Sequence, residues 1–192
     1  LHLCHHNLET IETTSSTKHD LLLDVCMAAK YEGDSITRYH PQHKETNPDS
    51  QLCTMLARSF ADIGDIVRGK DLFRGNDEEK KQRKKLEKNL KTIFGKIHKE
   101  VTSSERRNGK TLKDRYKKDK DPNFFQLRED WWNANRRQVW KAITCNAKAF
   151  NYFRATCGDE KKPSLTSKQC RCDDNPNTDP PTYFDYVPQY LR

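Results

Sequence analysis

The sequence predicts an all-α fold, built as a disulfide-bonded helical bundle with long polar loops. Hydrophobic residues make up 33% of the 192 residues and charged residues another 33%, so the apolar core is thin for this length. Seven cysteines supply the cross-links that such a core needs, and their number indicates an oxidising compartment. Several segments repeat apolar residues with the period of an α-helix.

The first helix is predicted over residues 20–30. Asp20 suits its N-cap, and Gly33 lies just beyond its end. A polar loop is expected to follow, because Pro41 and Pro48 break helices.

A second helix is predicted from Asp49 to about Arg68, where Gly69 closes it. Cys26 and Cys53 each lie on one of these two helices. Antiparallel packing would bring their Cα atoms within the roughly 5.5 Å that a bridge needs. We therefore predict a Cys26–Cys53 disulfide.

The most regular amphipathic segment covers residues 77–101. Its apolar side chains project within about 100° of one another, which predicts a core-facing stripe with lysines on the rest of the cylinder. The stripe consists of Leu86, Leu90, Ile93, Phe94, Ile97 and Val101. Residues 102–123 are expected to form a mobile, polar and basic connection.

The last long helix is predicted from about Phe124 to Thr156. Trp131, Trp132 and Trp140 fall on its apolar face, and we interpret them as an aromatic core plug rather than a ligand platform. The chain beyond Gly158 is rich in Pro, Asp and Asn, so no regular structure is expected there up to Tyr183.

The remaining cysteines are constrained by helix geometry. Cys145 and Cys157 would lie roughly 18 Å apart on a continuous helix and could not bridge each other. Each is therefore expected to pair with Cys170 or Cys172, and the sequence leaves the assignment open. Because the chain begins at Leu1 rather than Met, we expect a piece of a longer protein that holds the partner of Cys4.

The net charge of +8 is concentrated in residues 66–120. That region holds 20 Lys and Arg against 9 Asp and Glu, whereas the remainder holds 16 against 19. Like-charged blocks repel unless a partner neutralises them, so the region predicts a polyanion-binding surface, the alternative being a solvated helix face. The predicted glycan-binding residues are its densest cations: Lys80, Lys81, Arg83, Lys84, Lys85, Lys88, Arg106, Arg107, Lys117 and Lys118.

Four classes of polyanion fit this charge: sulfated glycan, sialylated glycoprotein, anionic lipid and nucleic acid. Nucleic acid is disfavoured because disulfide-rich chains rarely meet it. Aromatic residues that could stack on bases are also scarce between Phe94 and Tyr116. We therefore expect a cell-surface partner and no nucleic acid.

Catalytic and cofactor motifs are missing from the sequence. It has no Gly-rich phosphate loop, no His-Glu-x-x-His and no Gly-x-Ser-x-Gly, so we predict neither an enzyme nor a bound cofactor. No run approaches the roughly 20 apolar residues of a membrane span. Two clusters contain metal-ligand types without a full tetrahedral set, and we predict no metal site at either: His2 with Cys4, His5 and His6, and Cys170 with Cys172.

Several strings resemble Duffy-binding-like domains of the alpha type. The matching strings are Leu1-His2-Leu3-Cys4, Ala28-Ala29-Lys30-Tyr31-Glu32-Gly33, residues 56–66, Arg128-Glu129-Asp130-Trp131-Trp132, Val139-Trp140, Ile143-Thr144-Cys145 and residues 181–192. The matches run from one end of the chain to the other and are specific as a set.

The resemblance implies a Duffy-binding-like helical bundle with two parts. Residues 1–75 would be an N-terminally truncated subdomain 1, and residues 76–192 would be subdomain 2 with the start of the connection to a third. Family-motif residues such as Trp131, Trp132, Arg136 and Trp140 would form the fold rather than contact a receptor.

The resemblance also implies a function. Such domains are displayed outside the infected red cell on a membrane-anchored parent, and they act in cytoadhesion, antigenic variation and rosetting through heparan sulfate or blood-group sugars. The resulting hypothesis is a host-cell adhesion module of a variant surface antigen. The alternative is a structural and antigenic spacer without direct receptor contact.

Overall fold

The computed structural model describes residues 18–72, 75–103, 109–148, 155, 157–159, 161–166, 168–172 and 180–192. Five helices account for most of them: α1 Lys18–Thr46, α2 Leu52–Arg68, α3 Asp77–Ser103, α4 Gly109–Arg115 and α5 Phe125–Ile143. A short antiparallel hairpin pairs β1 Cys157–Asp159 with β2 Lys162–Ser164. Single 3₁₀ turns cover Lys168–Cys170, Phe184–Tyr186 and Gln189–Leu191. The prediction of an all-α, disulfide-bonded bundle is confirmed.

Helix α1 is much longer than the predicted segment of residues 20–30. Gly33 does not end it, because this glycine is where α1 meets the end of α5. A Cβ atom on Gly33 would lie 1.9 Å from the Ile143 carbonyl oxygen, so only glycine permits this contact. Pro41 lies inside the helix, in its exposed final part, where a lost backbone hydrogen bond costs less than in a buried turn. The loop predicted around Pro41 is therefore wrong.

Helices α2 and α3 agree with their sequence patterns. Helix α2 ends at Gly69, whose left-handed φ of 72° lets the next residue, Lys70, donate its N–H to the Asp65 carbonyl at 2.8 Å. In α3 the predicted apolar stripe is buried, apart from a half-buried Val101. Within the expected mobile connection of residues 102–123, the chain instead forms the short helix α4.

The tryptophans form the predicted core plug. Trp132 and Trp140 are fully buried and Trp131 is 7% exposed. The Phe60 ring lies against both, with ring centroids 5.1 Å from Trp132 and 5.3 Å from Trp140. Helix α2 approaches α5 closely at Gly64, where an added Cβ would come within 2.8 Å of the Trp132 ring.

Two disulfides cross-link the described residues, and they correct the predicted pairing. Cys53 bonds Cys170, so the predicted Cys26–Cys53 bridge is wrong. Helix α1 turns Val25 and its apolar neighbours into the core, while Cys26 lies about 100° around the helix as a half-buried free thiol. Burial raises the pKa of that thiol to about 11.

The second disulfide joins Cys157 to Cys172, which confirms one of the two predicted helix-to-loop pairings. The other is wrong, since Cys145 is an exposed free thiol. The predicted helix through Thr156 stops at Ile143, and Cys157 lies on strand β1 instead. Cys4 lies outside the described residues.

The C-terminal segment is tied to the helices through the buried carboxylate of Asp185. That carboxylate accepts hydrogen bonds from Trp132 Nε1 at 2.9 Å and from Arg136 Nε at 2.7 Å, and its second oxygen accepts from Arg136 Nη2 at 2.7 Å. Arg68 donates to the Asp185 carbonyl oxygen. Because every partner is itself held in the core, these bonds fix the segment at residues 180–192 against α2 and α5.

The same segment ends in a second ion-pair cluster. Arg192 donates to Asp62 Oδ1 at 2.8 Å and also bonds Asp65. Burial raises the pKa of Asp62 to about 6, although the charge of Arg192 opposes the shift. Asp62 is therefore ionised at neutral pH only at some cost to the folded state.

We expect the two disulfides to contribute unequally to stability. Cys53–Cys170 closes 117 residues of sequence and Cys157–Cys172 closes 15, so a chain-entropy argument gives about 5 and about 3 kcal/mol. Denaturant titration should show C53A/C170A losing roughly 2 kcal/mol more than C157A/C172A. Equal losses would contradict this reading.

Asp62 predicts a specific pH dependence of stability. Its pKa in the folded protein, about 6, exceeds the ordinary value near 4, so its contribution is fully present below about pH 4 and is lost as pH rises through 6. Asp62 is about a third exposed, so we expect the loss to be about 1 kcal/mol after screening. Urea unfolding between pH 4 and 7 should show this fall in unfolding free energy in the wild type and not in the D62N variant. An unchanged profile would refute the assignment.

Candidate functional site

The candidate site is one face of α3, which we call the lysine face. Eight lysines project from it within about 160° of the helix circumference, opposite the buried stripe. They are Lys80, Lys81, Lys84, Lys85, Lys88, Lys91, Lys96 and Lys99. At 1.5 Å per residue the row extends for roughly 28 Å.

The helix begins with a reciprocal cap that explains its start. Asn76 Oδ1 accepts the Glu79 N–H at 2.9 Å, and Glu79 Oε2 accepts the Asn76 N–H at 2.8 Å. Asp77 and Glu78 follow in the first turn, where the helix dipole favours acidic groups. Three acidic residues thus gather at the N-terminal end of α3, ahead of the lysines.

The lysine face contains almost no competing negative charge. Between Lys80 and Lys99 the sequence has one carboxylate, Glu87. Both of its oxygens are taken by Arg128 of α5, at 2.6 and 2.9 Å. Arg128 is itself fully buried and also donates to the Val67 and Ile66 carbonyls at the end of α2. A buried arginine therefore pairs the charge of this one acid, whose side chain stays 45% exposed.

The predicted site residues differ in how freely they can meet a ligand. Lys84, Lys85 and Lys88 are exposed and form no ion pair with any described residue. Lys80 lies 3.1 Å from Asp77 and Lys81 lies 3.8 Å from Glu78, both as exposed pairs that contribute little. Lys84, Lys85 and Lys88 are therefore the centre of the lysine face.

Arg83 does not belong to the lysine face. Its guanidinium lies 3.2 Å from Asp71 and its side chain is 18% exposed. It sits beside the buried stripe, since position 83 falls about 60° from Leu86 around the helix. Helical periodicity alone would have set it apart from the lysines, and its glycan-binding role stays a prediction.

Two further predicted cations lie beside α3 rather than on it. Lys117 and Lys118 follow α4 in an exposed turn, and Lys117 is 3.5 Å from Asp114. Arg106 and Arg107 lie outside the described residues. The sequence analysis missed Lys91, Lys96 and Lys99, although the same helical period that places Lys84 and Lys88 also places these three on the face.

The turn at residues 116–123 packs against α3, and we call it the basic turn. His98 Nε2 donates to the Tyr116 carbonyl at 2.7 Å, and Lys91 Nζ donates to Asn123 Oδ1 at 2.8 Å. The pKa of Tyr116 is raised, first by burial and then by the hydrogen bond that its hydroxyl donates to Asp130. The cations of this turn are thereby placed next to the C-terminal half of the lysine face.

The described residues contain no group of three or more His, Cys, Asp or Glu that could hold a metal ion. Cys170 and Cys172, the nearest sequence candidates, are both consumed in disulfides. Across the same part of the chain, the helices are too short or too polar to cross a bilayer.

A cross-linked helical fold with a basic, acid-depleted face defines a binding module. The chain belongs to the Duffy binding domain family, whose model matches residues 1–192. No curated protein matches it in a sequence comparison.

Solved structures of Plasmodium falciparum domains share the fold. The NTS-DBL1α1 domain of PfEMP1 from the varO strain is 42% identical with a TM-score of 0.75, and the match covers 99% of this chain and 40% of that one. The varO NTS-DBL1α and CIDRγ double domain is 40% identical with a TM-score of 0.72, over 99% and 25%. A PfEMP1 DBLβ domain bound to human ICAM-1 is 30% identical with a TM-score of 0.65, over 99% and 36%.

These comparisons confirm the family resemblance read from the sequence. The chain spans between a quarter and two fifths of the length of these three solved chains. The division into a unit at residues 1–75 and another at 76–192 stays a prediction.

Arg83 and Lys84 make a matched pair of adjacent cations for a test. We expect R83A to lower stability by about 1 kcal/mol, because it breaks a largely buried pair with Asp71, while heparin retention stays nearly unchanged. K84A should leave stability nearly unchanged and weaken heparin retention, because the Lys84 side chain is exposed without an ion-pair partner. Thermal unfolding and elution from a heparin column give the two readouts, and equal behaviour of both variants would refute the division.

Proposed function

We propose that this chain is part of a host-cell adhesion module of a variant surface antigen, and that it binds an anionic glycan such as heparan sulfate through the lysine face. The observation that carries the proposal is the row of lysines, exposed except for the half-buried Lys96, whose one intervening carboxylate, Glu87, is bound by Arg128. Such a row attracts a linear polyanion along its length. Family membership and the PfEMP1 relatives support adhesion as the broader role.

The location we propose is the extracellular face of the infected erythrocyte, on a membrane-anchored parent protein. Two disulfides among the described residues support an oxidising environment. The same disulfides weigh against nucleic acid as the polyanion. Similarity to PfEMP1 domains favours a host-facing position.

A protein receptor is the second candidate partner. A related DBLβ domain is bound to human ICAM-1, so the fold can serve protein recognition. The lysine face favours glycan for this chain, because lysine is depleted in protein interfaces, where aromatic and apolar anchors supply most of the binding energy. The two candidates differ in salt dependence, since charge pairs are screened over a Debye length of about 8 Å at 0.15 M salt.

Heparin is the probe that tests this proposal. We expect the protein to bind heparin at low salt and to lose binding steeply as salt rises. The variant K84A/K85A/K88A should bind roughly ten-fold more weakly, from three exposed contacts of about 0.5 kcal/mol each. Surface plasmon resonance on immobilised heparin measures both effects.

The matched control is K30A/K44A/K148A, which removes the same charge from exposed lysines on α1 and beyond the end of α5. It should keep near-normal heparin affinity. Equal weakening in both triple variants would mean that net charge alone is responsible and the site is wrong. No heparin binding by the wild type would favour a protein receptor or the spacer role, and a screen against ICAM-1 and red cells separates these two.

A further inference from the structure

We propose that the basic turn is a second wall of the binding surface, and that Asp130 is the positioning residue that holds it beside the lysine face. The two walls together would select a linear sulfated chain long enough to contact both. This inference rests on the proposed function and adds the length of the ligand and the residue that sets it.

The turn is attached to α3 from one side by three contacts. The hydrogen bonds from His98 to the Tyr116 carbonyl and from Lys91 to Asn123 fix its two ends. At its exit, the Phe124 ring packs on the His98 ring with centroids 5.3 Å apart. The same ring lies over Gly95, where an added Cβ would be 3.6 Å away, an ordinary van der Waals contact distance.

Asp130 of α5 holds the turn from the other side. Its Oδ2 accepts the Tyr116 hydroxyl at 2.7 Å and Arg115 Nε at 2.9 Å, while its Oδ1 accepts Arg115 Nη2 at 2.9 Å. Gln126 Nε2 adds a bond at 3.2 Å. Tyr116, the first residue of the turn, and Arg115 just before it are therefore anchored by one carboxylate, which lies on the helix that also carries the tryptophan plug.

The charges of the turn are arranged toward solvent. Lys117, Lys118 and Lys120 are exposed, while the Asp121 carboxylate is used to accept the Gln126 N–H at 2.9 Å at the start of α5. Asp119 remains exposed among the lysines. Three exposed lysines thus outnumber the one exposed acid of the turn, so the surface of this wall is cationic.

The separation of the two walls predicts the length preference. The two α3 residues that anchor the turn, Lys91 and His98, lie 7 and 14 residues from Lys84, so the centre of the lysine face and the turn together extend for roughly 21 Å along the helix. Each exposed charge contact is weak, so affinity depends on how many are engaged at once. A short sulfated fragment reaches one wall, whereas a longer chain reaches both.

The experiment compares a heparin tetrasaccharide with a heparin dodecasaccharide by calorimetry. Wild type should bind the longer chain at least about ten-fold more tightly. D130N should bind the dodecasaccharide about five-fold more weakly than wild type and should bind the tetrasaccharide with unchanged affinity. The direction is diagnostic, because D130N removes a negative charge and would strengthen binding if only net charge mattered.

The matched control is D119N, which makes the same charge change within the turn without touching the anchor. It should bind both oligosaccharides as tightly as wild type or more so. Hydrogen exchange of the amides at residues 116–121 should accelerate in D130N and not in D119N, which separates loss of positioning from loss of charge. If D130N fails to fold, K118A/K120A against K30A/K44A tests the wall directly through the same length preference.

Equal affinity of D130N and D119N for the dodecasaccharide, or unchanged exchange in D130N, would overturn the inference. So would a wild type that binds both fragments equally while K84A/K85A/K88A weakens both, a result that leaves the proposed function intact. A wild type that binds neither fragment would overturn both proposals.

Discussion

The architecture depends on a single buried carboxylate, that of Asp185. A charge this far from water is tolerated only when its oxygens are fully paired, and here the indole of Trp132 and the guanidinium of Arg136 pair them. Because Trp132 is also the centre of the aromatic plug, the bond couples the C-terminal segment to the α2–α5 packing. The Arg136 guanidinium additionally stacks over Phe60, at 5.7 Å from its centroid, so the cation is supported on its apolar faces as well.

A second buried arginine connects the core with the surface that we propose as the binding face. Arg128 satisfies two carbonyls at the end of α2, where a helix leaves unpaired acceptors, and with its remaining donors it holds Glu87. The structural requirement at the α2 end thus has an electrostatic effect on the outside of α3, because it pairs the one carboxylate that lies between Lys80 and Lys99. The pairing of Glu87 on the proposed binding face therefore follows from hydrogen bonds that Arg128 makes in the core. The basic turn is likewise held by a residue of α5, Asp130.

Periodicity predicted the parts of this fold that depend on local sequence. The α3 stripe, the Gly69 cap and the tryptophan plug all follow from the 3.6-residue repeat and from glycine's access to positive φ. The errors came from tertiary contacts. Gly33 was interpreted as a helix end, whereas it lies inside α1 at the contact with Ile143. The Cys53–Cys170 bond depends on the path of the chain beyond the end of α5. The sequence analysis named five of the eight lysines of the face, because charge density in sequence counted Arg83 and overlooked Lys91, Lys96 and Lys99.

The Cys53–Cys170 bond also determines how the molecule would respond to tension. Residues between the two cysteines form a covalent loop with a sequence separation of 117, and that loop contains α3, α4 and α5. A pulling force applied before Cys53 and after Cys170 would pass across the sulfur bridge and bypass these helices. Tension carried along the chain from before Cys53 to after Cys170 would therefore leave α3 unstretched.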